Sequence, residues 1–209
     1  MSGLKKPENA FLKLVEKLAP LSEKVAPFEQ GKSTAGLTAV NDTEFAKIFL
    51  LDCGYANLRR VDDGLIMATV FAPYILGLSF YPGSEIFYTI ELGPHSSLRQ
   101  LPRVHALNAV KKYDLQREWT NIAAYKMAFL YARDRDILHH RPHEVVCRML
   151  TRLMSLPQYF REHISAIKYI EQRTVLSRSS IQRVLFQLKK RGLIEITDGR
   201  LERINQLLD

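Results

Sequence analysis

The sequence predicts an α+β fold in three parts: a strand-rich first half, one long helix, and a C-terminal winged helix-turn-helix. Three observations predict it. Short apolar runs broken by turn residues fill most of the stretch from 45 to 92, a continuous helical pattern runs from Leu115 to Leu138, and residues 164–204 read as helix, turn, helix and hairpin. The expected divisions are 1–113, 114–138 and 139–209.

In chain order, Phe11, Leu14, Val15 and Leu18 share one face of a short amphipathic helix that ends near Pro20. Strand-like runs follow at Phe45 to Leu51, Tyr55 to Val61, Leu65 to Phe71, Tyr74 to Ser79 and Ile86 to Leu92. Asp62-Asp63-Gly64, Ala72-Pro73 and Pro82-Gly83 separate them as turns. Many short strands at close spacing predict a small antiparallel barrel or jelly-roll-like sandwich. The long helix carries two apolar stripes: Ile122, Tyr125, Phe129 and Ala132, then Trp119, Ala123, Met127 and Leu130. Such a helix can be buried in one core, or it can pack one stripe on its own domain and offer the other to a partner helix.

The C-terminal quarter carries the functional signal. Ile164, Ile167 and Ile170, with Tyr169, mark a short helix, and Arg173-Thr174-Val175-Leu176 a turn. Ser177 stands where an N-cap hydroxyl would satisfy free backbone N–H groups. Behind it Ile181, Val184, Leu185 and Leu188 define a face that must be buried, and Gly192 stops the helix. The opposite face holds Arg178, Ser179, Gln182, Arg183, Phe186 and Lys190, with no carboxylate. Arg can contact guanine in bidentate fashion, Gln can read adenine, and Ser can meet a base or a phosphate. Leu193 to Ile196 and Leu201 to Ile204 alternate around Asp198-Gly199, a strong hairpin signal, with Arg200 at the tip of the wing. From Ile164 to Asp209 there are nine Lys or Arg against five Asp or Glu, so this quarter holds half of the formal charge of +8. Concentrated positive charge of this kind is the footprint of a nucleic-acid module.

Bulk properties narrow the class. A chain of 209 residues with 46% hydrophobic and 10% aromatic content can fold as one large or two small domains. No apolar run approaches a membrane span and the first residues lack an apolar core, so a cytoplasmic protein without a membrane partner is expected. Cys53 and Cys147 are too few for a disulfide framework. His139, His140, His143 and Cys147 cluster, with the last two at i, i+4, but they lack a convincing fourth ligand; linker histidines and a buried cysteine are the preferred reading. Cys53 has no cation among its sequence neighbours to activate its thiol. No phosphate-binding loop, nucleophile elbow or His-Glu-x-x-His is present, so no catalytic residue, metal or cofactor is expected and the chain is read as a non-enzyme.

The run Leu176-Ser177-Arg178-Ser179-Ser180-Ile181-Gln182-Arg183-Val184-Leu185 resembles the recognition helix of the Crp/Fnr regulators, whose pattern is close to Ser-Arg-Glu-Thr-Val-x-Arg-hydrophobic-Leu. More narrowly, Ile164 to Asn205 is similar to the enterobacterial IprA-type regulators, a divergent Crp-like branch linked to peroxide resistance. The resemblance implies an N-terminal cyclic-nucleotide-binding-like β-roll, with Phe71 to Ser79 similar to the strand that leads into its ligand pocket. It also implies a parallel dimer through the long helix, with Trp119, Ile122, Tyr125, Met127, Phe129 and Leu130 as the dimer-helix residues. Double-stranded DNA is the implied partner.

Arg178, Ser179 and Arg183 match the family's base-contacting positions, and Gln182 joins them on the same face. Ser177, Ser180, Lys189, Lys190 and Arg200 are the expected backbone contacts. Two departures stand out. Ser179 replaces the usual Glu, which can accept from cytosine N4, so the usual operator is not implied. Gly77 is followed by Leu78 where the ribose-binding Glu belongs, and Pro82-Gly83-Ser84-Glu85 offers a carboxylate in place of the phosphate-binding Arg. The expectation is therefore a sequence-specific transcriptional regulator without a cyclic-nucleotide signal, its effector unknown. The alternative is a winged-helix module that binds protein or RNA without DNA sequence preference.

Overall fold

In a computed structural model, residues 4–25, 46–78, 87–137 and 141–206 are described. The chain divides into two compact units, Lys5–Ala128 and Phe129–Asp209.

The first unit begins with α1 (Glu8–Leu18), whose Phe11, Leu14 and Leu18 are fully buried, followed by a 3-10 turn at Ala19–Leu21 that contains Pro20. Seven strands follow among the described residues: β1 (Glu23–Lys24), β2 (Lys47–Cys53), β3 (Tyr55–Arg60), β4 (Ile66–Phe71), β5 (Tyr74–Leu76), β6 (Tyr88–Leu92) and β7 (Ser97–Pro102). One antiparallel sheet has the order β1-β7-β2-β5 and the other β4-β3-β6. Strand β4 shows why a half-buried strand alternates: Ile66, Ala68 and Val70 face the core and the residues between them do not. Strand β2 does not alternate. Ile48, Phe49, Leu50 and Leu51 are all buried, because α1 and α2 (Arg103–Lys112) cover the sheet on the face turned away from its partner. The turn at Asp62-Asp63-Gly64 forms as expected, with Gly64 at φ +69 and the Asp63 carboxylate accepting from Leu65 N at 3.1 Å.

Several expectations need correction. The run from Tyr74 ends as a strand at Leu76, because Gly77 turns the chain at φ +84. Gly77 can do this only without a side chain, since a Cβ there would meet Lys47 O at 2.5 Å. Strands β1 and β7 and helix α2 were not foreseen. In β7 the buried Leu98 and Leu101 lie three apart, which breaks the alternation, and Arg99 between them reaches back to Ser22 Oγ at 2.7 Å and to the Ala19 and Ser22 carbonyls at 3.1 and 3.0 Å. Phe45, Ser79, Pro82-Gly83 and Ile86 lie outside the described residues.

The long helix is α3 (Gln116–Ile137), and it runs from the first unit into the second. The second unit continues with α4 (Pro142–Met154), α5 (Gln158–Arg161), α6 (Ala166–Glu171), α7 (Arg178–Lys190) and a hairpin of β8 (Ile194–Thr197) and β9 (Arg200–Ile204). The expected start at Ile164 is two residues early, for Ser165 caps α6 by accepting from Lys168 N. Helix α4 packs against α6, α7 and β9, with Val145, Val146, Met149, Leu150 and Leu153 buried. Pro142 at its first turn costs no hydrogen bond there.

Candidate nucleic-acid interface

The interface is built on α7. Ile181, Val184, Leu185 and Leu188 are buried as the spacing requires, which fixes the rotation of the helix. Ser177 caps it, its Oγ accepting from Ser180 N at 3.3 Å and donating to Ser180 Oγ at 3.0 Å. Ser177 and the half-buried Ser180 thus hold the helix start itself. Ser179, Gln182, Arg183 and Lys190 are exposed on the outer arc.

The turn before α7 is held by side chains that are used up within the fold. Thr174 Oγ1 donates to Ile170 O at 3.0 Å. Arg173 is buried, donates to Tyr169 O at 3.1 Å and lies 3.8 Å from the Tyr169 ring centroid. Arg178, at the first helical position, is exposed but not unpartnered: its Nη1 stands 3.3 Å from both carboxylate oxygens of Glu171 on α6. Sequence reasoning did not find that ion pair, because the two residues meet only across the turn.

The wing closes on two left-handed residues, Asp198 at φ +50 and Gly199 at φ +78, between the paired Thr197 and Arg200. This is the Asp-Gly loop that suits the twist of a hairpin. The Gly199 carbonyl accepts from Ala166 N at 2.8 Å, which fastens the tip to the start of α6. Arg200 is exposed beside it. Lys189 donates to Ile196 O at 3.3 Å, a tie between α7 and the wing. A cationic helix face next to a hairpin that exposes Arg200 beside its tip can meet two stretches of phosphate while presenting Arg, Ser and Gln to base edges.

Residues 142–209 match the family described as winged helix-turn-helix DNA binding. Over 168 residues the chain is 30% identical to the inhibitor of hydrogen peroxide resistance of Escherichia coli strain K12, covering 80% of this chain and 81% of that protein. The chain belongs to that family. Among solved structures, a CooA mutant from Carboxydothermus hydrogenoformans superposes with a TM-score of 0.70 at 11% identity, covering 98% of this chain and 95% of that one. The c-di-GMP responsive global regulator CLP of Xanthomonas campestris gives 0.66 at 13%, covering 93% and 100%. These likenesses establish the fold: this member of the peroxide-resistance inhibitor family has the β-roll, long helix and winged helix of the Crp/Fnr regulators.

The remaining expected residues fall as follows. Ile122 is fully buried, and Tyr125 packs edge-on to Phe11 with centroids 6.2 Å apart, so both serve the core of their own unit. Trp119 and Phe129 are half-buried, whereas Met127 is 57% and Leu130 43% exposed. Leu78 is buried, and Arg103 donates to the Gly77 and Leu78 carbonyls at 3.2 and 3.3 Å. Ser84 and Glu85 lie outside the described residues, as do His139 and His140. His143 Nδ1 is 3.8 Å from the buried Cys147 Sγ, Cys53 is exposed, and the described residues hold no metal-binding cluster. Lys126, overlooked between the apolar stripes, donates to Ile75 O at 2.5 Å and stands 5.2 Å from the Tyr74 centroid; burial pulls its ammonium down to about 7. Among the described residues no helix is long and apolar enough to cross a membrane.

Proposed function

We propose that the chain is a homodimeric transcription regulator that binds duplex DNA sequence-specifically through α7 and acts without a cyclic nucleotide. The observation that carries the reading is the outer arc of α7, where Ser179, Gln182, Arg183 and Lys190 are exposed with no carboxylate on the helix. Arg178, Ser179, Gln182 and Arg183 contact bases; Ser177, Ser180, Lys189, Lys190 and Arg200 lie against the backbone. The name of the Escherichia coli relative supports a role in the response to peroxide. Leu78 in the core, with its carbonyl held by Arg103, supports independence from cyclic nucleotide, for an apolar side chain replaces a carboxylate that would hold ribose.

Selection of duplexes from a random library tests the DNA reading. A defined half-site should be enriched, and affinity for it should exceed that for random duplex by about a thousandfold or more, with a steep loss on adding salt. Recovery of random sequence would refute specificity. Millimolar cAMP or cGMP should leave melting temperature and DNA affinity unchanged, and calorimetry that found micromolar binding of either would refute the second half of the proposal.

A further inference from the structure

We propose that Phe186 is a specificity-determining residue that docks on the C5-methyl group of a thymine in each half-site. The proposal rests on the DNA-binding reading above and adds to it a base that none of the polar contacts would select. Phe186 is 68% exposed, whereas Ile181, Val184, Leu185 and Leu188 of the same helix are buried. It therefore takes no part in the core of its unit.

Its place on the helix is equally telling. Seven residues make nearly two turns, so Phe186 lies only about 20° around the axis from Ser179. Gln182 and Arg183 stand one turn before it, and Lys189 and Lys190 one turn after it. The ring thus sits in the middle of the outer arc and not at its border with the buried face. Eight residues separate it from Arg178, about 12 Å of helix, a length that a helix laid in the major groove can bring to base edges.

The surroundings identify the occupant. Helix α7 contains no Asp or Glu, and the neighbours of Phe186 one turn away are cationic or amide side chains. An anionic partner suits them. A protein partner would call for a contiguous apolar patch, and on this arc Phe186 is a single ring among polar groups. Along the major groove, DNA presents one apolar group, the thymine methyl, and an aromatic side chain is a fitting contact for it.

The test uses the full chain and a duplex selected with the wild type. Each thymine of the selected site is replaced singly by deoxyuridine, which removes the methyl group and leaves every hydrogen-bonding group in place. Binding is then measured for the wild type, Phe186→Ala and Phe186→Leu, with melting curves to confirm that the exposed substitutions leave the fold intact. At one thymine in each half-site, loss of the methyl should weaken the wild type by about four- to tenfold, the scale of one buried methyl. Phe186→Ala should be indifferent to the same change, and Phe186→Leu should keep part of the discrimination. Equal responses of wild type and Phe186→Ala at every thymine would overturn the proposal, including the case in which Phe186 meets a protein. A wild type that selects no duplex at all would overturn the DNA reading as well, so the two failures are distinct.

Discussion

Arg178 has two competing partners in this reading: Glu171 in the free chain, at 3.3 Å, and a base edge in the complex. An exposed pair of this kind is worth less than about 1 kcal/mol, so DNA can displace it. Arg178→Ala or Arg183→Ala should cost about 1–3 kcal/mol on the selected site and little on random duplex. Lys190→Ala or Arg200→Ala should weaken both alike and lower the salt slope by about one. Glu171→Gln should tighten binding slightly to either duplex, by removing a competitor and a negative charge near phosphate. Titrations of selected and random duplex at several salt concentrations separate these outcomes, and equal losses on both for Arg178→Ala would remove its base-reading role. The outward residues were legible because the period of α7 alone fixes them. The ion pair was not, since Glu171 and Arg178 lie on different helices and sequence spacing says nothing about their approach. Ser177 is the cap that the sequence indicates, whereas Ser180 was read only as a backbone contact and the structure also draws its hydroxyl into the cap.

At the scale of elements, α3 and α4 are joined by a buried carboxylate. Asp136 accepts from Arg152 Nε at 3.0 Å and Nη2 at 2.6 Å, and from Arg148 Nη1 at 3.1 Å. Burial alone would raise its pKa, but the charges and hydrogen bonds of Arg152 and Arg148 outweigh it and hold the carboxyl below the ordinary 3.8. Asp136 therefore contributes stability that is fully present above about pH 4 and is lost as pH falls through the lower folded-state value. Asp136→Ala should destabilise the second unit by about 3 kcal/mol at pH 7, because it leaves Arg152 without its buried partner. Denaturant curves at pH 7 and pH 3 check this: the gap between wild type and variant should narrow in acid, and a gap that stayed constant would deny the ion pair its role. Helix α4 lies where the sequence reading places linker histidines and a buried cysteine. Its Val145, Val146, Met149, Leu150 and Leu153 have the right spacing, but the histidines before it drew the reading toward a linker and ligand chemistry. Strand β7 was missed for a physical reason, since its core residues do not alternate and its polar Arg99 is structural. The hairpin at Asp198-Gly199 was legible because Asp-Gly is one of the few pairs that take the two left-handed positions of a two-residue loop, although β8 and β9 each reach one residue closer to the turn than the alternation indicated.

For the whole molecule, the assembly proposal rests on the exposed part of α3. Met127, Leu130 and Tyr131 are 57%, 43% and 69% exposed and lie at i, i+3 and i+4, so they form one apolar strip along α3 itself. The opposite stripe is spoken for, with Ile122 buried and Tyr125 against Phe11. Sequence periodicity marked two stripes and could not say which one faces out, because both are apolar and only the packing of Ile122 and Tyr125 within their own unit distinguishes them. A second copy of α3 laid along the open strip would bury it and bring two α7 helices to two half-sites related by a two-fold axis. Leu130→Glu places a charge in the middle of that strip. Left exposed in a monomer it costs little, but buried in a dimer without a partner it is strongly unfavourable. Sedimentation at micromolar concentration should find the wild type dimeric and Leu130→Glu monomeric with an unchanged circular dichroism spectrum. Affinity for a single half-site should survive in the variant, while the advantage of a full two-half-site duplex should disappear, because linked binding multiplies affinity only when both modules engage. A wild type that sediments as a monomer would end the dimer proposal, and a Leu130→Glu dimer with full-site affinity would move the interface away from this strip.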